Sequence, residues 1–187
     1  MKRQIRSSVF ETNSSSTHSI AISKAPVIAD GKSIRFGIGE YGWENGTANT
    51  ANYLYTAILE QNNSSELLNK LKEILDKHSI EYKFEEPKYE KSAYSDYEYL
   101  TYGYIDHSCE LREFLDTVLN NEDLLMRYLF GDSYVYTGND NQDSVFSGCD
   151  IANEYYWEED ENGNYVKKLN PYHDPMNYDY FYKGNQG

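Results

Sequence analysis

The stretch that decides the fold is NSSELLNKLKEILDKHSIEYKF, residues 63–84. Its first part is helical: Leu67, Leu68, Leu71, Ile74 and Leu75 recur at the spacing that lines one face of a helix over 64–77. Asn63 precedes that run and Glu66 follows three residues on, which resembles a capping box. Its last part, IEYKF (80–84), reads as a strand. A helix that passes into a strand with no regular βαβ alternation around it indicates an α+β fold.

Working outward, two more helices carry the same signal. Over 49–61, Ala51, Leu54, Tyr55 and Ile58 fall on one face. Over 109–119, Leu111, Phe114, Leu115, Val118 and Leu119 do so, with Ser108 as the expected cap. A short helix over 122–130 follows Asn121 and stops at Gly131. These stripes read as core. Further strands are expected at YGYI (102–105), SYVYT (133–137) and NYVKKL (164–169), and EYYWEEDENGNYVKKL (154–169) reads as a hairpin turning at Asn162-Gly163. Upstream, SIAIS (19–23) and SIRFGIG (33–39) alternate with period two, and Asp30-Gly31 marks a turn. Residues 1–39 are therefore expected to form a small N-terminal antiparallel meander. The whole is expected to be one domain over 1–187: a basic, strand-rich segment 1–39 and an acidic region 40–187 with three to four helices and Tyr-rich antiparallel strands toward the C-terminus.

Charge is unevenly placed. The chain has a net charge of −14, yet residues 1–80 carry nine Lys/Arg and eight Asp/Glu. Residues 81–187 carry eight and twenty-three, so nearly all the negative charge lies there. That balance argues against a protein that coats nucleic acid and points to two different partner surfaces, or to a solvated acidic surface with a basic end. There is no apolar run of about 18 residues, the length of a membrane-spanning helix. No apolar stretch follows the basic start MKRQIRSSVFETN, so no secretory signal is read. Cys109 and Cys149 form neither a metal spacing nor a disulfide framework. The expectation is a cytoplasmic protein without membrane contact. Its oligomeric state is not legible.

Of the 20 tyrosines, 17 lie from Tyr82 onward, many beside carboxylates, as in NEYYWEED and NYDYFYKG. Tyrosine offers wide contact area at low entropy cost and is enriched at protein interfaces. Rings with interleaved carboxylates can also imitate nucleic acid inside a basic channel. The alternative is half-buried sheet faces. Tyr155, Tyr156, Glu158, Glu159, Asp160 and Glu161 are the partner-binding candidates.

No G-x-S-x-G, Walker loop, dinucleotide fingerprint or H-E-x-x-H is present, and GIGEYG (37–42) is a weak glycine loop. Metal-independent RNA cleavage needs a base for the 2′-hydroxyl, an acid for the leaving oxygen and a cation beside the phosphorane. The stretch VFETNSSSTHSI (9–20) supplies Glu11 and His18 as the acid/base pair. Lys2, Arg3 and Arg6 would balance charge, and Asn13, Ser14, Ser15 and Ser16 would hold phosphate or ribose oxygens. The competing reading is that these hydroxyls and amides cap turns and pair across strands. A second constellation, YIDHSCE (104–110), places Asp106, His107 and Glu110 where a strand meets a helix, as an acid/base pair, a divalent-metal site or helix-terminus chemistry. The spacing is thin for a metal, and neither a metal nor another cofactor is expected. YTGNDNQD (136–143) fits no calcium loop and reads as a turn.

VFETNSSSTHS (9–19) resembles the opening signature of a family of small proteins of Firmicute phages and mobile elements. GYIDH (103–107) and SYVYTGNDN (133–141) resemble later blocks of that group. In size, acidity and tyrosine content the chain is similar to type II anti-CRISPR proteins, one kind of which truncates the guide RNA. The resemblance implies a counter-defence role in the host cytoplasm, with a CRISPR effector nuclease and its guide RNA as partners. It makes Glu11, Thr12, Asn13, Ser14 to Ser16, His18, Asp106 and His107 candidate positions. Two other functions stay open: an acidic, non-catalytic inhibitor that blocks the nucleic-acid channel, and a host-takeover enzyme using Asp106 and His107.

Overall fold

The computed structural model describes residues 16–42, 46–91, 98–106, 111–139 and 154–183. Their elements, in chain order, are β1 (Ser16–Ser23), β2 (Ser33–Phe36), β3 (Glu40–Tyr41), β4 (Gly46–Ala48), α1 (Thr50–Leu59), α2 (Ser64–Lys77), β5 (Glu81–Phe84), β6 (Tyr89–Lys91), β7 (Glu98–Leu100), β8 (Tyr104–Ile105), α3 (Arg112–Leu119), α4 (Glu122–Phe130), β9 (Tyr134–Asn139), β10 (Tyr155–Glu159), β11 (Tyr165–Leu169) and β12 (Tyr178–Lys183). The fold is α+β, with four helices and mostly antiparallel strands among the described residues.

The main sheet has the order β12-β1-β9-β4 and is antiparallel throughout. One face packs on the helices through Ile20, Ile22 and Val135, all fully buried. Packed against this sheet and against the other three helices runs α1, buried along almost its whole surface: Ala51 and Tyr53 to Leu59 are all inside. A helix apolar all round belongs in the middle of a core. By contrast α2 shows only Leu67, Leu71, Ile74 and Leu75, with Ser64, to the interior, which is the one-sided pattern that its spacing predicts.

The expected N-terminal meander does not form among the described residues. β1 lies between β9 and β12, while β2 pairs in parallel with β5 and β3 in parallel with β8. The cause is in β1 itself. Ser19, Ala21 and Ser23 are buried as well as His18, Ile20 and Ile22. The alternation in SIAIS is therefore small against large, not solvent against core. Register puts Ala21 opposite Tyr134 on one side and Tyr180 on the other, so the small residues make room for rings on the second face. A strand covered on both faces suits the interior of a sheet, and β1 takes that place between β9 and β12.

Helix ends also depart from expectation in detail. Asn49 and Asn121 cap α1 and α4 by accepting from Asn52 and Leu124 backbone N–H groups at 3.0 and 3.1 Å. Asn63 makes no such backbone bond; its amide reaches the Glu66 carboxylate at 3.4 Å instead. Leu111 stands at the cap of α3 without a side-chain bond, and Ser108 lies outside the described residues. α4 ends at Gly131 in extended backbone, with no left-handed turn. Glycine fits there because a Cβ would come within 2.5 Å of the Arg127 carbonyl oxygen. α2 closes through Ser79 at φ 51°, with Ser79 N–H donating to Asp76 and Ile80 N–H to Leu75. That is a Schellman turn built on serine where glycine is usual.

β10 and β11 form the expected hairpin as a separate two-stranded ribbon. Its loop is Asp160 to Asn164, with Gly163 at φ 80°. Asp160 Oδ1 accepts from the backbone N–H of both Asn162 and Asn164 at 2.9 Å. No helix among the described residues is long and apolar enough to cross a membrane.

Candidate functional site

Three separated segments meet at one end of the main sheet. β1 enters at Ser16, opposite Asn139 of β9, and His18 lies opposite Thr137. On its other edge His18 faces Lys183 of β12. β8 carries the chain to Asp106, whose N–H donates to the Tyr41 carbonyl at 3.0 Å. There His18 Nε2 stands 3.0 Å from the Asp106 carbonyl oxygen, and His18 Nδ1 stands 2.9 Å from the Tyr53 hydroxyl. The described parts of these three blocks, residues 16–19, 103–106 and 133–139, thus meet near one imidazole.

The partners fix the tautomer. A carbonyl oxygen only accepts, so Nε2 carries the proton. In the neutral ring Nδ1 is then the acceptor and the Tyr53 phenol donates to it. Burial raises the Tyr53 pKa well above its ordinary value, with Glu60 and Tyr41 pushing the same way, so that phenol keeps its proton. Glu60, the cap residue at the C-terminus of α1, accepts from the Ile105 backbone N–H at 2.9 Å. Tyr53 and Glu60 together hold the end of β8 against α1, the first through His18 and the second directly.

No family model matches this chain, and no curated protein and no solved structure matches it.

His18 is 1% exposed, and each ring nitrogen is bonded to a group of the protein. A general acid or base must reach the proton it transfers. In this geometry the ring ties β1, α1 and the end of β8 together, and presents no nitrogen outward. Glu11, Lys2, Arg3, Arg6, Thr12, Asn13, Ser14, Ser15, His107 and Glu110 lie outside the described residues. Ser16 is placed by its backbone alone, at the start of β1. Among the described residues, no group of three or more His, Cys, Asp or Glu side chains could hold a metal. Sequence reasoning missed Tyr53, which sits one place off the stripe read in α1. Its signal is a tyrosine inside a core helix, whose hydroxyl needs a partner when buried.

The partner-binding candidates lie elsewhere, on the β10–β11 hairpin. Every residue of the two strands is exposed except Tyr156, which is half-buried. Glu158 pairs with Lys168 across the strands, and Asp160 is occupied by the turn. Glu159 and Glu161 stand at the tip beside them. The backbone N–H bonds to Asp160 hold its carboxyl below the usual value. Trp157 and Tyr165 were not singled out from sequence, yet they are the most exposed rings of the ribbon, at 63% and 69%.

Proposed function

We propose that the protein is a phage-type inhibitor of an RNA-guided nuclease that acts by binding, with its acidic hairpin docked on a basic surface of the effector's nucleic-acid channel. The observation that carries this reading is the hairpin: a ribbon paired with no other strand among the described residues, exposed on both faces and tipped with carboxylates. Residues 154–169 hold five acidic and two basic side chains. Such a surface repels free nucleic acid and is drawn to a protein channel built of lysine and arginine. The resemblance of 9–19, 103–107 and 133–141 to the phage and mobile-element family points the same way. The test is to reverse Glu158, Glu159 and Glu161 to Lys, leaving Asp160 to hold the turn. Affinity for the effector should fall and salt dependence should weaken; unchanged affinity in a folded variant removes the hairpin from the contact.

A second reading is metal-independent cleavage of the guide RNA around His18 and Asp106, with Glu11 and His107 as partners. Its support is the meeting of the described parts of the three blocks near His18. Against it stands the burial of the ring. Incubating the protein with guide RNA, with and without the effector, and running a denaturing gel separates the two: cut RNA favours cleavage, and intact RNA with lost nuclease activity favours binding.

A further inference from the structure

We propose that one face of the hairpin is a docking surface for a basic protein segment with apolar side chains, anchored by Trp157. This deepens the docking reading above and rests on it. Directly paired residues share a face. Register therefore puts Tyr155 with Leu169, Trp157 with Lys167, and Glu159 with Tyr165 on one side. Tyr156 with Lys168, and Glu158 with Val166, fall on the other. The first side gathers the large exposed groups: Tyr155 at 43%, Trp157 at 63%, Tyr165 at 69% and Leu169 at 44%. Four such side chains in one row form a contiguous patch, which marks an interaction site more than scattered exposure does. Tryptophan and tyrosine are also the side chains that dominate binding energy at interfaces.

The ribbon is held ready. A lone two-stranded hairpin is marginal in water, but this one is tied at both ends. At the tip, Asp160 binds two backbone N–H groups. At the foot, Asn170 is buried, donates its N–H to the Glu154 carbonyl at 2.8 Å and accepts from Tyr172 N–H at 3.2 Å. The Tyr172 ring in turn stacks on Tyr134 of the main sheet at 5.1 Å. Less is then lost on binding than for a loose loop.

Charge selects the occupant. Lys167 is spent over the Tyr155 ring at 4.0 Å, and Lys168 on Glu158. Glu159 stands on the same side as Trp157, and with Asp160 and Glu161 in the loop it makes the tip end of that side acidic. A second copy would set two acidic hairpins and two chains of charge −14 against each other, and a polyphosphate would meet the same repulsion. A cationic segment with apolar side chains satisfies both the acidic tip and the row.

The experiment uses the full chain and two labelled peptides of equal charge, one alternating Lys with Leu and one alternating Lys with Ser. Fluorescence anisotropy should show the Lys/Leu peptide binding about tenfold or more tightly than the Lys/Ser peptide. Trp157→Ala and Tyr165→Ser should each weaken the Lys/Leu peptide by a similar factor. Val166→Ser, on the opposite face, should leave it unchanged. Equal binding of the two peptides, or equal loss in all three variants, overturns the proposal. The docking surface stands if peptide binding depends on Trp157 while no RNA-guided nuclease is inhibited; in that case the counter-defence reading falls alone. If the nuclease is inhibited equally by wild type and Trp157→Ala, the counter-defence reading stands and this face is not its anchor.

Discussion

His18 and Asp106, 88 residues apart, meet through a 3.0 Å hydrogen bond from the imidazole Nε2 to the backbone carbonyl oxygen. The other ring nitrogen accepts a hydrogen bond from the Tyr53 hydroxyl at 2.9 Å. A buried polar chain of this kind is costly when half broken, because each orphaned group keeps its desolvation penalty. Tyr53→Phe should therefore cost about 1–3 kcal/mol by removing the phenol's hydrogen bond to Nδ1. Urea melts with an unchanged m-value would check it. A loss within error would mean that a water replaces the phenol.

Removing the ring separates structure from chemistry. His18→Ala should destabilise by about 2–4 kcal/mol, from two lost hydrogen bonds and a cavity. It should leave hairpin-mediated binding intact at temperatures where the variant is folded. Wild-type stability together with lost guide-RNA cleavage would instead make His18 a catalytic group.

Ser79 stands at φ 51° in the turn that closes α2, a conformation that costs a residue with a Cβ roughly 1–2 kcal/mol. Glycine avoids that cost but carries more entropy in the unfolded chain. Ser79→Gly should therefore stabilise by up to about 1 kcal/mol. A raised melting temperature with unchanged binding is the expected result. A lowered one would show that the serine side chain contributes more than its backbone strain takes away.

The tip of the hairpin should respond to acid. Backbone N–H bonds to the carboxylate lower the Asp160 pKa from its ordinary 3.8. A group with a lowered folded pKa contributes fully above its unfolded value and loses that contribution as pH falls through the folded one. The turn should thus be intact at neutral pH and loosen only below about pH 4. Amide chemical shifts of Asn162 and Asn164 followed from pH 6 to pH 2 would report it. Asp160→Asn should flatten the titration. A transition centred above pH 4 would assign the turn to another group.

Much of this architecture is written locally, and those parts were legible. The α2 stripe and the Asn121 cap each involve residues a few places apart and appear as read; the hairpin also closes where expected, but its turn centres on Glu161 and Asn162, with Gly163 following at positive φ. What joins distant segments was not. Nothing near Ser33 announces a parallel partner at Glu81, on the far side of two helices, and nothing in SIAIS distinguishes a small-against-large strand from an amphipathic one. The candidate site divides the same way. His18 and Asp106 stood out by chemical type, but their contact depends on where β1 and β8 are brought. Tyr53 was hidden by its place in a core helix. On the hairpin, the carboxylates drew attention through charge, whereas Trp157 and Tyr165 emerge only when register shows which side chains stand together.

The position of β1 between β9 and β12 has a consequence for how the chain matures. His18 is paired with Lys183, so a strand made among the first of the described elements waits for the last before its second edge is covered. Pairings that span so much of the sequence form slowly, because the intervening loop must be closed before the contact repays it. During synthesis the backbone edge of β1 from His18 to Ser23 stays open until β12 has left the ribosome. A nascent chain stalled before Tyr178 would carry β1 with β9 on one edge and the other edge open, the kind of edge prone to capture by another chain.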